Sequence, residues 1–512
     1  MALSTIKVID PFSGDGRLVF WLIKEVSLQF PDSNRTWKID LWDCDAEALQ
    51  IAQRDLRKLF DENNISGEVN IQHTDSFELA TDHFQQYDLC ITNPPWEILK
   101  PDSRETDGLS EAELKTYVGF LKSKDKFLFE TYSISAPRKR FSGWGLNLAR
   151  CGVECAIRLT NAEGVCAVVS PSTLLADQQS SELRQWIFRK NSVIDVAHFA
   201  AEARLFDGVD QPCITLTVSP GSISKSAPTI NIYGKDLSKE SIKLTHDDWE
   251  QIAKDKYTIP LQFGISLLQL NKKWNSLPKF ADLEAHNLIW AGRELDETRY
   301  EDYLTEQGEY LFIKGRMVKR YGLIEKPTRY VKTTGPKIPK TANYPRIVWR
   351  DVARPTQKRR IQATLIPAGY VSGNSLNVTI YKSDNEEKLK ALLGIMNSFI
   401  FEAQVRMFAA TAHVSLGAIR QAKLPSLNDK NEVNLLSKLV DKCLSDGSDD
   451  DLTELEITIA KLYGLNKEEF SLLLSSFDKL TLEEKSLLLS DKYWKSKTAH
   501  SQNDTCMSDL PS

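Results

Sequence analysis

Asn93-Pro94-Pro95-Trp96 is the stretch of this chain whose residue types bear most directly on chemistry. The two prolines fix φ and remove two backbone donors, so the turn they make leaves carbonyl oxygens free. Pro94 also pushes Asn93 towards an extended conformation. A side-chain amide oxygen and a main-chain carbonyl then converge on one point, with an indole beside them. Such a set accepts two hydrogens from a planar exocyclic amine while the aromatic face stacks on its ring. The amino group of adenine is such an amine, and its delocalised lone pair needs this help to become a nucleophile. Taken alone, the tetrapeptide reads equally well as a proline turn capping a strand.

The residues that precede it tip the balance. Val8-Ile9-Asp10-Pro11-Phe12-Ser13-Gly14-Asp15-Gly16 reads as a short strand entering a glycine turn, and residues 18–30 follow with apolar positions at helical spacing. Glycines let a backbone approach a ligand closely, and a helix start offers free N–H groups. A second strand over 37–42 ends in Asp43-Cys44-Asp45, before a helical stretch over 46–60. A carboxylate there, about two dozen residues after the glycine turn, is where a doubly wound sheet binds ribose hydroxyls. A third strand over 68–73 ends in Thr74-Asp75, and a fourth over 87–92 leads into Asn93. Four strand ends carrying polar residues in this order point to a site at the C-terminal edge of a parallel sheet.

This arrangement resembles the S-adenosylmethionine-dependent amino-methyltransferases of DNA in their gamma order, with cofactor motifs first, the catalytic motif next and the target-recognition domain last. Asp10, Pro11, Phe12, Gly14 and Gly16 fall on the cofactor-binding motif I, and Asp43 on the acid that holds the ribose. Asp75 falls on the residue that reads the cofactor's adenine amino group, and Asn93 to Trp96 on the catalytic motif, whose head also borders the cofactor. An Asn at that head is typical of adenine-N6 enzymes, whereas cytosine-N4 enzymes more often begin with Ser. The continuation Trp96-Glu97-Ile98-Leu99-Lys100-Pro101 is similar to the methyltransferases of type IIS and IIG restriction–modification systems. Leu205-Phe206-Asp207-Gly208-Val209 resembles the segment whose aromatic residue packs on the flipped base, so Trp96 and Phe206 are the expected stacking pair. The resemblance covers about residues 8–475. It implies S-adenosylmethionine as cofactor, double-stranded DNA as partner, and a separate restriction endonuclease. Gamma-order enzymes also carry a helical segment ahead of motif I that covers the methionine end of the cofactor. With seven residues before Val8, that cover is expected from a partner or an upstream segment.

Composition sets the remaining bounds. A chain of 512 residues, 41% hydrophobic and 26% charged, has room for two or three domains. It contains neither an apolar run of membrane length nor a signal-peptide pattern, and its eight cysteines are scattered, which reads as a reduced, cytoplasmic chain. The histidines do not cluster, and methyl transfer from a sulfonium needs no metal, so none is expected. Net charge is −5, yet residues 312–360 hold 15 Lys/Arg against Glu325 and Asp351. Tyrosines and a tryptophan are interleaved there. The favoured reading is a phosphate-tracking surface carried by Lys319, Arg320, Lys332, Arg346, Arg350 and Arg359, and the competing one is a solvated face.

The expected architecture is α/β: a Rossmann-like methyltransferase domain over 1–220, an α+β target-recognition domain over 221–430, a helical segment over 431–496, and a disordered tail over 497–512. Residues 100–145 are charge-rich and lack a strong period, which reads as an insertion over the active site, either a lid or disordered. Pro137, Arg138-Lys139-Arg140 and Gly143-Trp144-Gly145 punctuate its end. Residues 388–407 read as one helix. Competing functions are methylation of cytosine N4, of RNA or of protein glutamine, and a non-catalytic DNA-binding subunit. A metal nuclease built on Asp102, Glu113 and Lys115 is the weakest of them, because the spacing lacks strand context.

Overall fold

The computed structural model describes residues 5–31, 35–136, 145–206, 211–221, 223, 227–242, 244–254, 256–259, 261, 270, 273–332, 334, 337–354, 357–383, 385–408, 413–445 and 447–495. The basic triplet 138–140, Pro137, Gly143, Trp144, Asp207 to Val209 and the tail expected over 497–512 lie outside them. The chain divides into two compact units, 1–262 and 263–512.

The first unit is built on strands β1 (Thr5–Asp10), β2 (Thr36–Asp43), β3 (Ser66–His73) and β4 (Tyr87–Thr92), joined by helices α1 (Arg17–Gln29) and α2 (Ala46–Glu62) and a short turn of helix α3 (Ser76–Leu79). After α4 (Ser103–Thr106), α5 (Glu111–Thr131) and α6 (Leu148–Leu159) come β5 (Thr160–Pro171), α7 (Ser181–Lys190), β6 (Ser192–Phe199), β7 (Cys213–Ser219), β8 (Thr229–Tyr233), β9 (Lys239–Ile242) and α8 (His246–Lys254). The nine strands form one sheet in the order β3-β2-β1-β4-β5-β7-β6-β8-β9. Pairings from β3 to β5 are parallel, and β7 runs antiparallel to both of its neighbours. From β1 the chain winds outwards through β2 to β3, then returns to place β4 on the other side of β1. That reversal opens a crevice at the C-terminal ends of β1 and β4, where open α/β sheets bind ligands.

Local sequence explains why the helices frame that crevice. Gly16 takes φ 74°, and a Cβ on it would sit 2.7 Å from the Ala52 Cβ of α2, so only glycine turns β1 into α1 this closely. Asp45 caps α2 by accepting from the amides of Glu47 and Ala48. Val19 and Ile23 of α1 join Val8, Ile39 and Leu41 of the strands and Leu49, Ala52 and Leu56 of α2 in one core. Each fully buried Val, Ile or Leu there contributes about 1.5–3 kcal/mol.

Three expectations change here. The sheet does not end at 220: β8 pairs parallel with β6 and β9 pairs antiparallel with β8, so the first unit closes at 262. Gly221 takes φ 76° in the turn before β8, where a linker out of the domain was expected. The stretch 100–145 is not without structure. It contains the 21-residue helix α5, begun by a capping box in which Ser110 and Glu113 bond each other's backbone amides. Glu113, a carboxylate of the nuclease-like spacing, is thereby committed to a helix cap.

In the second unit an antiparallel sheet runs Ile289–Gly292, Leu376–Tyr381, Arg346–Arg350, Ala363–Ile366. A second four-stranded sheet joins Leu304–Thr305, Tyr330–Val331, Tyr310–Ile313 and Tyr370–Ser372. The helix expected over 388–407 is two, Glu386–Met396 and Phe399–Phe408. The chain breaks at Asn397, whose side-chain amide exchanges two hydrogen bonds with the backbone of Ala363. The C-terminal helices Lys430–Leu444, Asp449–Leu462 and Lys467–Ser475 form no separate body. Trp274 Nε1 donates to the Tyr463 carbonyl at 3.1 Å, and their residues share one core with Trp349 and Phe280.

Candidate active site

Asp10 is the last residue of β1 and is fully buried. Its Oδ1 accepts from Thr92 Oγ1 at 2.6 Å and from the Phe12 amide at 3.1 Å, which ties the end of β1 to the end of β4. Burial pushes the Asp10 carboxyl up to about 7 against those two bonds, and the charge on Asp43 adds to the rise. Asp10 Oδ2 is buried and has no partner among the described residues.

Asp43 ends β2 and pins the glycine turn: its Oδ2 accepts from the Gly14 amide at 2.7 Å and its Oδ1 from the Asp45 amide at 2.9 Å. Gly14 takes φ 49°, and a Cβ placed on it would meet nothing within 4 Å, so the turn faces open space. Asp75 follows β3 and caps α3 through the Phe77 amide at 3.1 Å. The Thr74 amide donates to the Asp43 carbonyl at 2.9 Å, and burial followed by the charges of Asp43 and Asp75 raises the Cys44 thiol, so both acids flank one place. Phe12 packs on Phe77 with ring centroids 5.0 Å apart.

Asn93 begins the turn after β4. Its Oδ1 is buried without a hydrogen-bond partner among the described residues, and so is Trp96 Nε1. A buried amide oxygen left open costs on the order of 1–3 kcal/mol, a burden that native folds carry chiefly where a ligand relieves it. Pro94 is buried against α6: a Cβ on Gly152 would fall 2.2 Å from the Pro94 Cβ. After Trp96 the chain pairs with the start of α6, through Leu99 N to Leu146 O and Leu148 N to Glu97 O, both at 2.9 Å. Trp96 and Phe206 are brought together edge to face, centroids 5.3 Å apart. The expected stacking pair is thus adjacent.

The structure therefore gathers Asp10, Gly14, Asp43, Asp75, Asn93 and Pro94 at one edge of the sheet. The acceptors, the open glycine turn and the start of α1 fit a cofactor with a cationic amino-acid end and a nucleoside end. Three contributors were missed. Thr92 gave no signal, because any strand residue looks alike in that position. Gly152 was detectable as a lone glycine inside a helical stretch, which marks close packing. Lys124, whose Nζ lies 2.6 Å from Asp75 Oδ2, sits in the stretch whose period was too weak to read.

The cation set expected to meet DNA divides. Lys319 and Lys332 are exposed. Arg346 is fully buried against Glu294 and the Tyr370 carbonyl, and Arg359 is buried between Glu402 at 2.8 Å and Glu456 at 3.2 Å. Arg320 reaches Glu456 at 3.0 Å, and Arg350 donates to the Val318 carbonyl at 2.6 Å. Arg346 and Arg359 are scaffold cations and cannot touch phosphates. Arg320 and Arg350 are half-buried and already engaged. For Arg320, Arg346 and Arg359 the physical reason is carboxylates 43 to 136 residues away in sequence, and for Arg350 it is the carbonyls of Val318 and Arg316.

Residues 17–206 match the family model of the Eco57I restriction-modification methylase, just over a third of the chain. That match gives the first unit an S-adenosylmethionine-dependent methyltransferase domain, with S-adenosylmethionine as its cofactor. No curated protein sequence matches the chain. Among solved structures, the Type IIL restriction-modification enzyme MmeI in complex with DNA is similar over 93% of this chain and 73% of its own, at 11% identity and a TM-score of 0.55. The type IIG restriction endonuclease BpuSI aligns over 94% of this chain and 62% of its own, at 13% identity and a TM-score of 0.40. A nuclease-deletion mutant of the Type ISP enzyme LlaGI aligns over 86% and 44%, at 13% identity and a TM-score of 0.44. The chain thus spans less than two thirds of the last two, and the likeness to MmeI speaks for the fold alone. Among the described residues no helix is long and apolar enough to cross a membrane.

Proposed function

We propose that the protein methylates the N6 amino group of an adenine flipped out of double-stranded DNA, as the modification component of a restriction–modification system. The observation that carries this reading is the Oδ1 of Asn93, just after the end of β4, which is buried and without a hydrogen-bond partner among the described residues. Adenine N6 cannot be reached inside a duplex, so the nucleotide must leave the stack. Trp96 and Phe206, which touch each other edge to face, would part to take its ring between them. The Asn93 oxygen and the Pro94 carbonyl accept the two amino hydrogens and draw the nitrogen towards a tetrahedral form, which frees its lone pair. When bound, S-adenosylmethionine would supply an electrophilic methyl group, so that the amino nitrogen gains an N–C bond and loses one proton as the C–S bond breaks to a neutral thioether. What the chain contributes is position and dipoles fixed before the reaction begins.

The exposed Lys319 and Lys332 are the remaining candidates for phosphate contacts in the second unit, and a separate protein carries the restriction activity. The test is to express the chain in a host without background methylation and sequence the modified bases. The expected result is N6-methyladenine within one defined sequence. N4-methylcytosine would overturn the choice of base, and unmodified DNA beside methylated RNA or glutamine would overturn the substrate.

A further inference from the structure

Asp75, the acid at the end of β3, takes a partner from an unexpected part of the chain. Lys124 Nζ lies 2.6 Å from its Oδ2, with the two side chains 21% and 28% exposed. Lys124 belongs to α5, in the stretch 100–145 that interrupts the alternation of strand and helix. Other contacts fix the same half of α5 to the cofactor side of the sheet. Tyr132 Oη, just past the end of α5, donates to the Phe77 carbonyl at 2.6 Å, and the Phe77 ring meets Tyr132 edge-on at 5.5 Å. Asp125 accepts from the Leu146 amide at 2.9 Å, where the chain enters α6. The N-terminal half of α5 lines an open cavity of about 850 Å³ whose opposite wall, Glu97 to Lys100, directly follows Trp96. Lys124 lines this cavity as well, so one helix both touches the Asp75 carboxylate and faces the segment that follows Trp96.

We propose that Lys124 is a positioning residue of the cofactor site, which aims the Asp75 carboxylate at the adenine end of S-adenosylmethionine and so makes selectivity for the 6-amino group depend on the seating of α5. The proposal rests on the reading of Asp75 as the group that accepts from that amine. Asp75 Oδ1 is held by the Phe77 amide at 3.1 Å and Oδ2 by Lys124, so neither oxygen is free to swing. An ionised carboxylate offers about four lone-pair sites, and these two contacts leave some of them for a ligand donor. Charge-assisted bonds of this kind are the strong ones, and a pair mostly withdrawn from water is little screened by salt. Without Lys124 the carboxylate gains rotational freedom and a hydration shell, both of which must be removed when adenine binds.

The experiment measures binding of S-adenosylmethionine, and of its analogue lacking the 6-amino group, to the full chain by titration calorimetry. The variants are Lys124→Met, Lys124→Arg, Asp75→Ala and the double substitution Lys124→Met/Asp75→Ala. Lys124→Met is expected to weaken S-adenosylmethionine binding about tenfold and the analogue much less. In turnover KM is expected to rise more than kcat falls. Lys124→Arg should restore most of the preference for the 6-amino group, and Lys124→Met should add nothing in the Asp75→Ala background. Wild-type selectivity in Lys124→Met overturns the proposal. So does an equal loss for both ligands together with a lowered melting temperature, which would make the pair purely structural. Wild-type selectivity in Asp75→Ala is a separate failure: it removes the assignment of Asp75 and the role of Lys124 with it.

Discussion

Polar side chains are buried in both units, but they are buried differently. At the edge of the first sheet, Asp10 Oδ2 and Asn93 Oδ1 are shut away from water and, among the described residues, bonded to nothing. In the second unit Arg359, Glu402, Glu456 and Arg406 are shut away too, yet each carries charge-assisted partners. Burial alone pushes the Glu402 carboxyl up, but Arg359 and Arg406 outweigh it and hold the group down at about 2. A buried polar group with charged partners in the chain is scaffold, whereas the orphaned oxygens of Asp10 and Asn93 lie at the same C-terminal strand ends that carry Asp43 and precede Asp75. The proposed site thus sits where buried oxygens are open, and much of the basic stretch is framework.

The largest effect that sharpens the contrast is on stability. Arg359→Met removes the cation shared by Glu402 and Glu456, leaving them Arg406 and Arg320 respectively, and breaking a buried pair from one side costs about 3–5 kcal/mol. Denaturant unfolding is expected to show a loss of that size. A loss within about 0.5 kcal/mol, the range of an ordinary surface substitution, would return Arg359 to the set of free cations.

A second effect, spread over pH, separates Asp10 from the paired acids. Because folding raises its carboxyl to about 7, the folded state holds a proton that the unfolded chain has released, in the window from about 4 to 7. Asp10 therefore makes stability fall as pH rises through that window, by at most about 1.4 kcal/mol per pH unit. Asp10→Asn should flatten the slope there. An unchanged slope would mean that the carboxyl ionises freely in the folded state.

The smallest effect concerns the two exposed cations. Lys319→Glu with Lys332→Glu is expected to leave the unfolding midpoint nearly unchanged while weakening DNA binding. If both meet phosphates, the log–log salt slope should fall in magnitude by about 0.9 for each phosphate no longer neutralised. An identical slope would make them a solvated face.

What was legible in the sequence follows the same division. The first unit's strands and helices from β1 to β4 were readable to within a few residues, because hydrophobic period and glycine turn agree locally. The end of that unit was not. A Pro-Gly-Ser cluster at 220–222 marks a turn, but it carries no information on whether the chain leaves the sheet or returns to add β8 and β9. The break at Asn397 depends on a bond to Ala363 in a distant strand, so the apolar spacing ran straight through it. Cations were easy to count and their partners were not, since Arg320 meets Glu456 across 136 residues. Asn93 was legible as a motif, but its vacant oxygen was visible only in the fold.

That oxygen supports the most direct measurement. Asn93→Ala should be compared with the wild-type chain for S-adenosylmethionine affinity by calorimetry and for single-turnover methyl transfer to cognate DNA. Removing one preorganised acceptor that acts on the reacting nitrogen is expected to slow transfer by about 10²–10³-fold or more while cofactor affinity changes little. Equal losses in affinity and transfer would contradict the account, because Asn93 would then be holding the fold or the cofactor rather than the amine.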